Sequence, residues 1–366
     1  MNSPARIHQD GASGEKRGNQ GPIRVLIVDD SLTVRTVFSR MVSSAPDMVV
    51  VAGERSAELA ISRLRKEPVD VILLDLEMPG MGGLKALPEL LATQDGTSIL
   101  VVSSLTDEGA EHTVAALSMG AADTMLKPRP GGFDGAYRSA LLDKIRALGG
   151  RDSDIAGGTP SADRAPSRKN SRLGRRSEIV AIGASTGGIH ALNVLLRNLS
   201  PDFTIPICIT QHLPASFVSV FARQLEVTSA RKTVIAEEGT AIRRGEIAVA
   251  TGHSHMLIEP RGDHFIARTS NEPAISGCMP SVDPMLSSLA RNCKGRATAV
   301  ILSGMGRDGC VGAGELVEAG GLVLAQDAET SAVWGMPGAV TNAGFASAVC
   351  SPAKLAKRLM ADCRVS

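Results

Sequence analysis

Residues 177–190 read SEIVAIGASTGGIH, and the rest of the chain is organised around this stretch. The apolar run from Ile179 to Ile182 enters a Gly-Ala-Ser-Thr-Gly-Gly turn, after which Ile189, Leu192, Leu195 and Leu196 recur at roughly helical spacing. The pattern predicts a strand, a tight turn and a helix. A serine in such a turn has its hydroxyl at the carboxyl end of a strand and at a helix N-terminus, where open sheets hold ligands and backbone N–H groups favour an anion. Ser185 is therefore the first candidate nucleophile. The same turn also suits close packing or a phosphate, because it is neither G-x-S-x-G nor a Walker or dinucleotide fingerprint. Partners elsewhere in the chain must decide between these roles.

The chain has 366 residues, 43% hydrophobic and 21% charged, which is ordinary for a globular protein with two full cores. Thirty-nine basic and 38 acidic residues leave a formal charge of +1, so bulk electrostatics favours neither nucleic acid nor an anionic membrane. One Trp, one Tyr and seven Phe leave little for base stacking. The six cysteines, at 208, 278, 293, 310, 350 and 363, form no C-x-x-C pair and read as reduced, small core residues rather than disulfides or a zinc site. No segment reaches the roughly 18 uninterrupted apolar residues of a membrane span, and the cytoplasm is the expected location.

Residues 1–21 are polar and read as a disordered leader. From 22 to 148, short apolar runs alternate with helix-period segments: strands at 24–28, 48–53, 70–75, 98–104 and around 124–127, with helices at 31–44, 55–66, 82–92, 107–119 and 136–148. This is a (βα)5 pattern with a parallel sheet. Asp29 and Asp30 end the first strand, Asp75 the third, Ser103 the fourth and Lys127 the fifth, all at carboxyl strand ends. Carboxylates gathered there repel one another unless a cation intervenes, and hard oxygen donors at an open site suit Mg2+. Asp75 would then be an exposed carboxylate next to a metal, an ammonium and a hydroxyl, as an aspartyl-phosphate acceptor requires. The joint pattern VDDS, LLDLEMPGMGG, VSS and KP resembles the response-regulator receiver domain. That resemblance implies phosphorylation at Asp75 by a histidine kinase, with Asp30, Asp75 and the Glu77 carbonyl around Mg2+ and Asp29, Ser103 and Lys127 completing the site. Thr124 stands where many receivers carry an aromatic switch residue.

Residues 149–177 are dense in Gly, Ser, Pro, Asp and Arg and read as a flexible connector whose basic cluster, Arg164 to Arg176, is a solvated charge run. The second domain, 178–362, opens with the Ser185 turn. IPICIT at 205–210 is the next strand, with His212 just past its carboxyl end and Pro214 suited to the first turn of a helix. TVIA, EIAVA, MLIE and HFIAR, between 233 and 268, predict a small antiparallel insertion with turns at Gly239, Gly252 and Gly262. His253 and His255 would share a strand face, but two histidines without a third ligand are a weak zinc signal and fit surface or core roles. RATAVILSG at 296–304 returns to α/β form and leads through GMGRDG to Asp308. Ser185, His212 and Asp308 thus supply a nucleophile, a base and a carboxylate to orient that base, each just beyond a strand end. Parallel strands share a carboxyl edge and lie roughly 4.8 Å apart, so three of them can bring these groups together.

IGASTGGIHAL, ITQHLPASF, PSVDPML, ILSGMGRDG and AQDAETSAVWGMPGAV, in this order behind a receiver, resemble the chemotaxis protein-glutamate methylesterases of the CheB family. The resemblance implies an α/β architecture with an N-terminal (βα)5 receiver and a C-terminal doubly wound α/β methylesterase domain carrying a small antiparallel β insertion. It implies Ser185 as nucleophile, His212 as base and Asp308 as orienting acid, with Thr186 an adjacent hydroxyl, the Met305 backbone N–H an oxyanion donor, and Met336 and Pro337 bordering the site. The implied reaction is hydrolysis of glutamyl methyl esters on methyl-accepting chemotaxis receptors, with deamidation of receptor glutamines and no metal at the esterase site. GCMPSVDP lacks the aromatic or Arg residue often found before PSVD. Two other functions stay open on the residues alone: a response regulator whose second domain only binds partners, and a hydrolase acting on a different ester or amide.

Overall fold

The computed structural model describes residues 21–104, 106–128, 132–150 and 177–362. Most of the leader, nearly all of the connector and its Arg164–Arg176 cluster lie outside the described residues. The first five strands, β1 (Ile23–Val28), β2 (Met48–Glu54), β3 (Val71–Asp75), β4 (Ser98–Ser103) and β5 (Asp123–Leu126), alternate with helices α1 (Leu32–Ser43), α2 (Ala57–Leu64), α3 (Gly82–Thr93), α4 (Asp107–Met119) and α5 (Gly135–Leu148). They form a parallel sheet in the order β2-β1-β3-β4-β5. The central strands read as continuous apolar runs because helices cover both faces, and β3 is buried along its whole length. Ser31, Ser56, Thr106 and Asp134 each accept a backbone N–H from the first turn of α1, α2, α4 and α5, which fixes where those helices start.

The second domain opens with β6 (Ile179–Ala184), α6 (Gly188–Arg197), β7 (Ile207–Gln211) and α7 (Ala215–Ser229). Next come β8 (Thr233–Ala236), β9 (Ala241–Ile242), β10 (Ile247–Ala250), β11 (His255–Arg261), β12 (His264–Ser270) and α8 (Val282–Cys293). The chain closes with β13 (Ala297–Ile301), α9 (Cys310–Glu318), β14 (Leu322–Gln326), α10 (Met336–Asn342), β15 (Ala348–Cys350) and α11 (Pro352–Asp362). Seven strands make a parallel sheet in the order β15-β14-β13-β6-β7-β10-β8. Strand β6 sits where the winding reverses, with β7 on one side and β13 on the other, and such reversal points open a crevice at the carboxyl edge. Phe217 and Phe221 of α7 are each 1% exposed, and burying a side chain of that size contributes on the order of 1.5–3 kcal/mol.

The insertion differs from the expectation in one respect. TVIA and EIAVA do not join an antiparallel unit: as β8 and β10 they extend the main parallel sheet, and only β9, β11 and β12 form a separate antiparallel sheet. The all-buried β10 carries the unbroken apolar run of a two-face-covered strand, which period alone does not assign to either sheet. Gly239, Gly252 and Gly262 all have positive φ, as the expected turns require.

Candidate active site

The three central strands of the second sheet each deliver one polar side chain to the same carboxyl edge. Ser185 follows β6, His212 follows β7, and Asp308 lies on the loop from β13 to α9. His212 Nδ1 lies 3.1 Å from Ser185 Oγ, and its Nε2 lies 2.7 Å from Asp308 Oδ2. An anionic Asp308 accepts the Nε2 proton and leaves the Nδ1 lone pair facing the serine hydroxyl. The ring nitrogens are used in the opposite sense from the chymotrypsin triad.

Asp308 is 3% exposed and surrounded by donors. Its Oδ1 accepts from Ser281 Oγ at 2.6 Å, Gly309 N at 3.0 Å and Asp283 N at 3.3 Å, while Oδ2 also accepts from Val282 N at 2.7 Å. Two of those donors are the first N–H groups of α8, so the carboxylate sits on a helix N-terminus. Burial alone would raise its pKa, yet His212, Ser281 and the Val282 amide together bring it down to about 2. Burial disfavours the charged form of His212, but Asp308 and the nearby Cys278 outweigh it and raise the imidazole to about 9. Beside this group, Asp283 is raised to about 6, chiefly by burial.

The serine turn is held from several sides. Ser185 N donates to Ser303 O at 3.0 Å, Gln211 Nε2 donates to Ser185 O at 3.0 Å, and Ser303 Oγ donates to Thr186 O at 2.7 Å. Gly187, at φ +75°, has no room for a side chain: a Cβ there would lie 2.5 Å from Ala332 Cβ and 2.7 Å from Ser303 Oγ. Gly304 is as tight, since a Cβ would meet the Met336 sulfur at 2.3 Å and Ser185 Cβ at 2.9 Å. The Gly304 backbone therefore passes directly against the serine, with the buried Met336 beside it. Met336 N donates to Gly304 O at 2.8 Å, which pins this passage to the start of α10.

The Thr186 hydroxyl, expected beside the nucleophile as part of the site, instead donates to Asp123 Oδ2 of the first domain at 2.6 Å. That contact belongs to a broader docking of the α4–β5 region onto the serine turn. His190 Nδ1 lies 3.2 Å from Ser118 O, Gln224 Nε2 donates to Ser118 Oγ, and Arg223 pairs with Glu111. The space left between the domains, lined by Leu117, Ala122, Asp123, Ser185, Gln211 and His212, is about 10 Å3, close to the room one water needs.

Sequence reasoning missed Ser281, Cys278, Gln211 and Asp123 as neighbours of this site. It also put His253 and His255 on one face. Only His255 lies in β11; it is buried, with Nδ1 accepting from Ser281 N at 2.9 Å and Nε2 lying 2.8 Å from Glu272 O, while His253 is exposed in the preceding turn. The buried histidine thus ties both ends of the loop that carries Ser281.

The carboxylates of the first domain also converge: ligand oxygens of Asp29, Asp30 and Asp75 lie within 4.8 Å of one another. Lys127 Nζ reaches Asp75 Oδ2 at 2.7 Å and Asp29 Oδ2 at 2.8 Å. Burial opposes the charge on Lys127, but the two ion pairs outweigh it and raise its pKa. Asp75 is 3% exposed rather than open: it is the last residue of the wholly buried β3 and is paired with Lys127. Burial raises its pKa against the pull of Lys127. Glu77 N donates to Asp75 Oδ1 at 3.1 Å, and Ser103 Oγ is buried without a hydrogen-bond partner. A hard-oxygen cluster beside an ammonium and an unpaired hydroxyl fits Mg2+ and a phosphoryl group. Among the described residues, no helix is long and apolar enough to cross a membrane.

A phosphoacceptor-type (βα)5 domain docked over a serine, histidine and carboxylate in hydrogen-bonded series defines a receiver-coupled α/β enzyme. Residues 25–131 match the response regulator receiver domain, and residues 180–359 match CheB methylesterase. The chain is 42% identical over 332 residues to protein-glutamate methylesterase/protein-glutamine glutaminase 2 of Caulobacter vibrioides, across 89% of this chain and 95% of that protein. It is 38% identical over 358 residues to the corresponding protein 1 of Rhodospirillum rubrum, across 90% and 92%. The chain belongs to the CheB family of protein-glutamate methylesterase/protein-glutamine glutaminases. Among solved structures, the catalytic domain of Thermotoga maritima CheB is similar at 34% identity and a TM-score of 0.49, covering 50% of this chain and 98% of that one.

Proposed function

We propose that this chain hydrolyses glutamyl methyl esters on chemoreceptors, and deamidates receptor glutamines, through a Ser185–His212–Asp308 triad whose access is governed by phosphorylation of Asp75. The observation that carries this reading is the unbroken series from Ser185 Oγ through both ring nitrogens of His212 to Asp308, lying under the receiver. His212 Nδ1 takes the hydroxyl proton as Ser185 Oγ attacks the ester carbonyl, and Asp308 holds Nε2–H and offsets the charge of the imidazolium. The Met305 N–H, which follows the Gly304 backbone that lies against Ser185, is the assigned oxyanion donor. Collapse of the tetrahedral adduct breaks the C–O bond, and His212 returns the proton to the leaving oxygen, giving methanol and an acyl-Ser185. His212 then deprotonates water, which attacks the acyl group and releases the glutamate and Ser185. With a glutamine substrate the leaving group is ammonia. None of these steps calls on a metal.

In the receiver, Asp30, Asp75 and the Glu77 carbonyl would hold Mg2+, with Asp29 completing the set. Bound Mg2+ supplies positive charge to bring the phosphoryl oxygens against the acidic cluster. Asp75 accepts the phosphoryl group, Lys127 pairs with it, and Ser103 Oγ gains the partner it lacks. A histidine kinase is the assigned donor. Drawing Lys127 toward the phosphate pulls on β5, whose other end carries Asp123 and its hold on Thr186.

The test is mass spectrometry of a methylated receptor fragment after incubation with the protein. Glutamyl esters should become free acids, and the reaction should stop in Ser185→Ala with the fold unchanged. Hydrolysis of simple esters with no action on the receptor fragment would point to a hydrolase of different substrate, and a response regulator that only binds partners would hydrolyse neither.

A further inference from the structure

We propose that Cys278, His212 and Asp308 form an inhibitory site for Zn2+ or a similarly thiophilic divalent cation. The Cys278 sulfur, a ring nitrogen of His212 and a carboxylate oxygen of Asp308 lie within 4.8 Å of one another. They reach this point from three separate segments: the end of β7, the loop after β13, and the loop between β12 and α8. Thiolate, imidazole and carboxylate together are the donor types zinc selects, and three protein ligands leave a fourth position for water. Mg2+ and Ca2+, which prefer all-oxygen shells, are poor fits.

The site is built rather than accidental in two respects. Asp308 is fixed by Ser281, Val282, Asp283 and Gly309, the outer support that orients a metal-binding carboxylate. The loop bearing Cys278 is clamped at both ends by the buried His255, through Glu272 O and Ser281 N. Cys278 itself is partly exposed, so an ion can reach it from solvent.

The ion would replace the proton shared by His212 Nε2 and Asp308 Oδ2, and the two groups, 2.7 Å apart, would separate by a few tenths of an ångström to admit it. Cys278 releases its thiol proton to solvent and binds as thiolate. The imidazole stays neutral, its one proton moving from Nε2 to Nδ1 as the Nε2 lone pair goes to the metal. Nδ1 then donates toward Ser185 and cannot take its proton. Zinc thus blocks the base without displacing the serine.

The placement of His212 and Asp308 carries this inference; it uses the methylesterase reading only for its activity readout, so binding is measured separately. Full-length, chelator-stripped protein in excess Mg2+, which occupies the receiver carboxylates, is titrated with Co2+ as a spectroscopic stand-in for Zn2+. A thiolate-to-cobalt charge-transfer band should appear, be displaced by Zn2+, and be lost in Cys278→Ser. Zn2+ inhibition, expressed relative to each protein's own metal-free rate, should weaken at least about tenfold in that variant. In the wild type, Zn2+ should also protect Cys278 from alkylation, a readout independent of both activity and mutant folding. Absence of the band in the wild type, an unchanged band in Cys278→Ser, or alkylation of Cys278 at the same rate with and without Zn2+ would each overturn the site. Protein that binds cobalt through Cys278 but leaves receptor esters intact would refute the esterase reading and leave the metal site standing.

Discussion

Thr186 Oγ1 donates to Asp123 Oδ2 at 2.6 Å, so the residue beside the candidate nucleophile is held by the receiver. Asp123 begins β5 and Lys127 lies just past its end, four residues away. At about 3.3 Å per residue this strand links the receiver's carboxylate cluster to the serine turn over about 13 Å. Removing the carboxylate with Asp123→Ala deletes one charge-assisted hydrogen bond across the interface. Such bonds are worth about 1.5–3 kcal/mol, which shifts a closed-to-open equilibrium roughly 10- to 100-fold. Basal hydrolysis by the unphosphorylated protein should rise on that scale, and the further gain from a phosphodonor should shrink. An unchanged basal rate would remove Asp123 from the control of access.

The raised pKa of His212 sets a pH profile. In the proposed mechanism neutral imidazole is the base, and with a pKa of about 9 it is the minor form at neutral pH. In chelator-treated protein, kcat/KM should climb about tenfold per pH unit from 6 toward 9 and then level off. Asp308 and Cys278 are the groups facing the ring that hold it there, so Cys278→Ser should move the plateau to lower pH. A profile already flat at pH 7 would contradict this assignment.

The same pair contributes to stability with a definite sign. His212 gains a partner on folding, so its contribution is complete below its ordinary value of 6.5 and fades as pH rises through about 9. The Asp308 contribution is complete above 3.8 and fades as pH falls toward about 2. Thermal unfolding of the wild type should therefore show this contribution between these limits, and His212→Gln should flatten the decline above pH 7. An identical alkaline decline in both proteins would place its origin elsewhere.

In the proposed mechanism Ser281 acts through Asp308, to which its hydroxyl donates at 2.6 Å. Ser281→Ala should lower kcat by about 10- to 100-fold while KM changes little, because the loss falls on the orientation and charge of the base. The pH midpoint should move as well, and Ser281→Thr should restore part of the rate. A variant changed only in thermal stability, with its pH profile intact, would reduce Ser281 to a packing role.

The receiver was legible almost element by element, because Asp29, Asp75, Ser103 and Lys127 each end an apolar run of strand length and helix-period segments lie between those runs. The convergence of Ser185, His212 and Asp308 on one sheet edge was legible from the same signal: each follows a buried strand. What the chain pattern could not show was what crosses between distant segments. Thr186 faces Asp123 only because α4 and β5 dock on the serine turn, and Ser281 and Cys278 reach Asp308 on a loop whose ends are tied by His255. Cys278 has no C-x-x-C neighbour, so its sequence context marks it as another small core residue. β8 and β10 were assigned to the wrong sheet because a four-residue apolar run has the same local signature in either.

A serine esterase gated by its own receiver releases methanol from a methylated receptor fragment at a rate set by phosphorylation of Asp75. The assay compares wild type, Asp75→Asn and Ser185→Ala, each with Mg2+ and with or without a small acyl-phosphate donor. The predicted result is release by the wild type that accelerates with the donor, release by Asp75→Asn that does not respond to it, and none above background from Ser185→Ala. Release by Ser185→Ala at the wild-type rate would exclude Ser185 as the nucleophile.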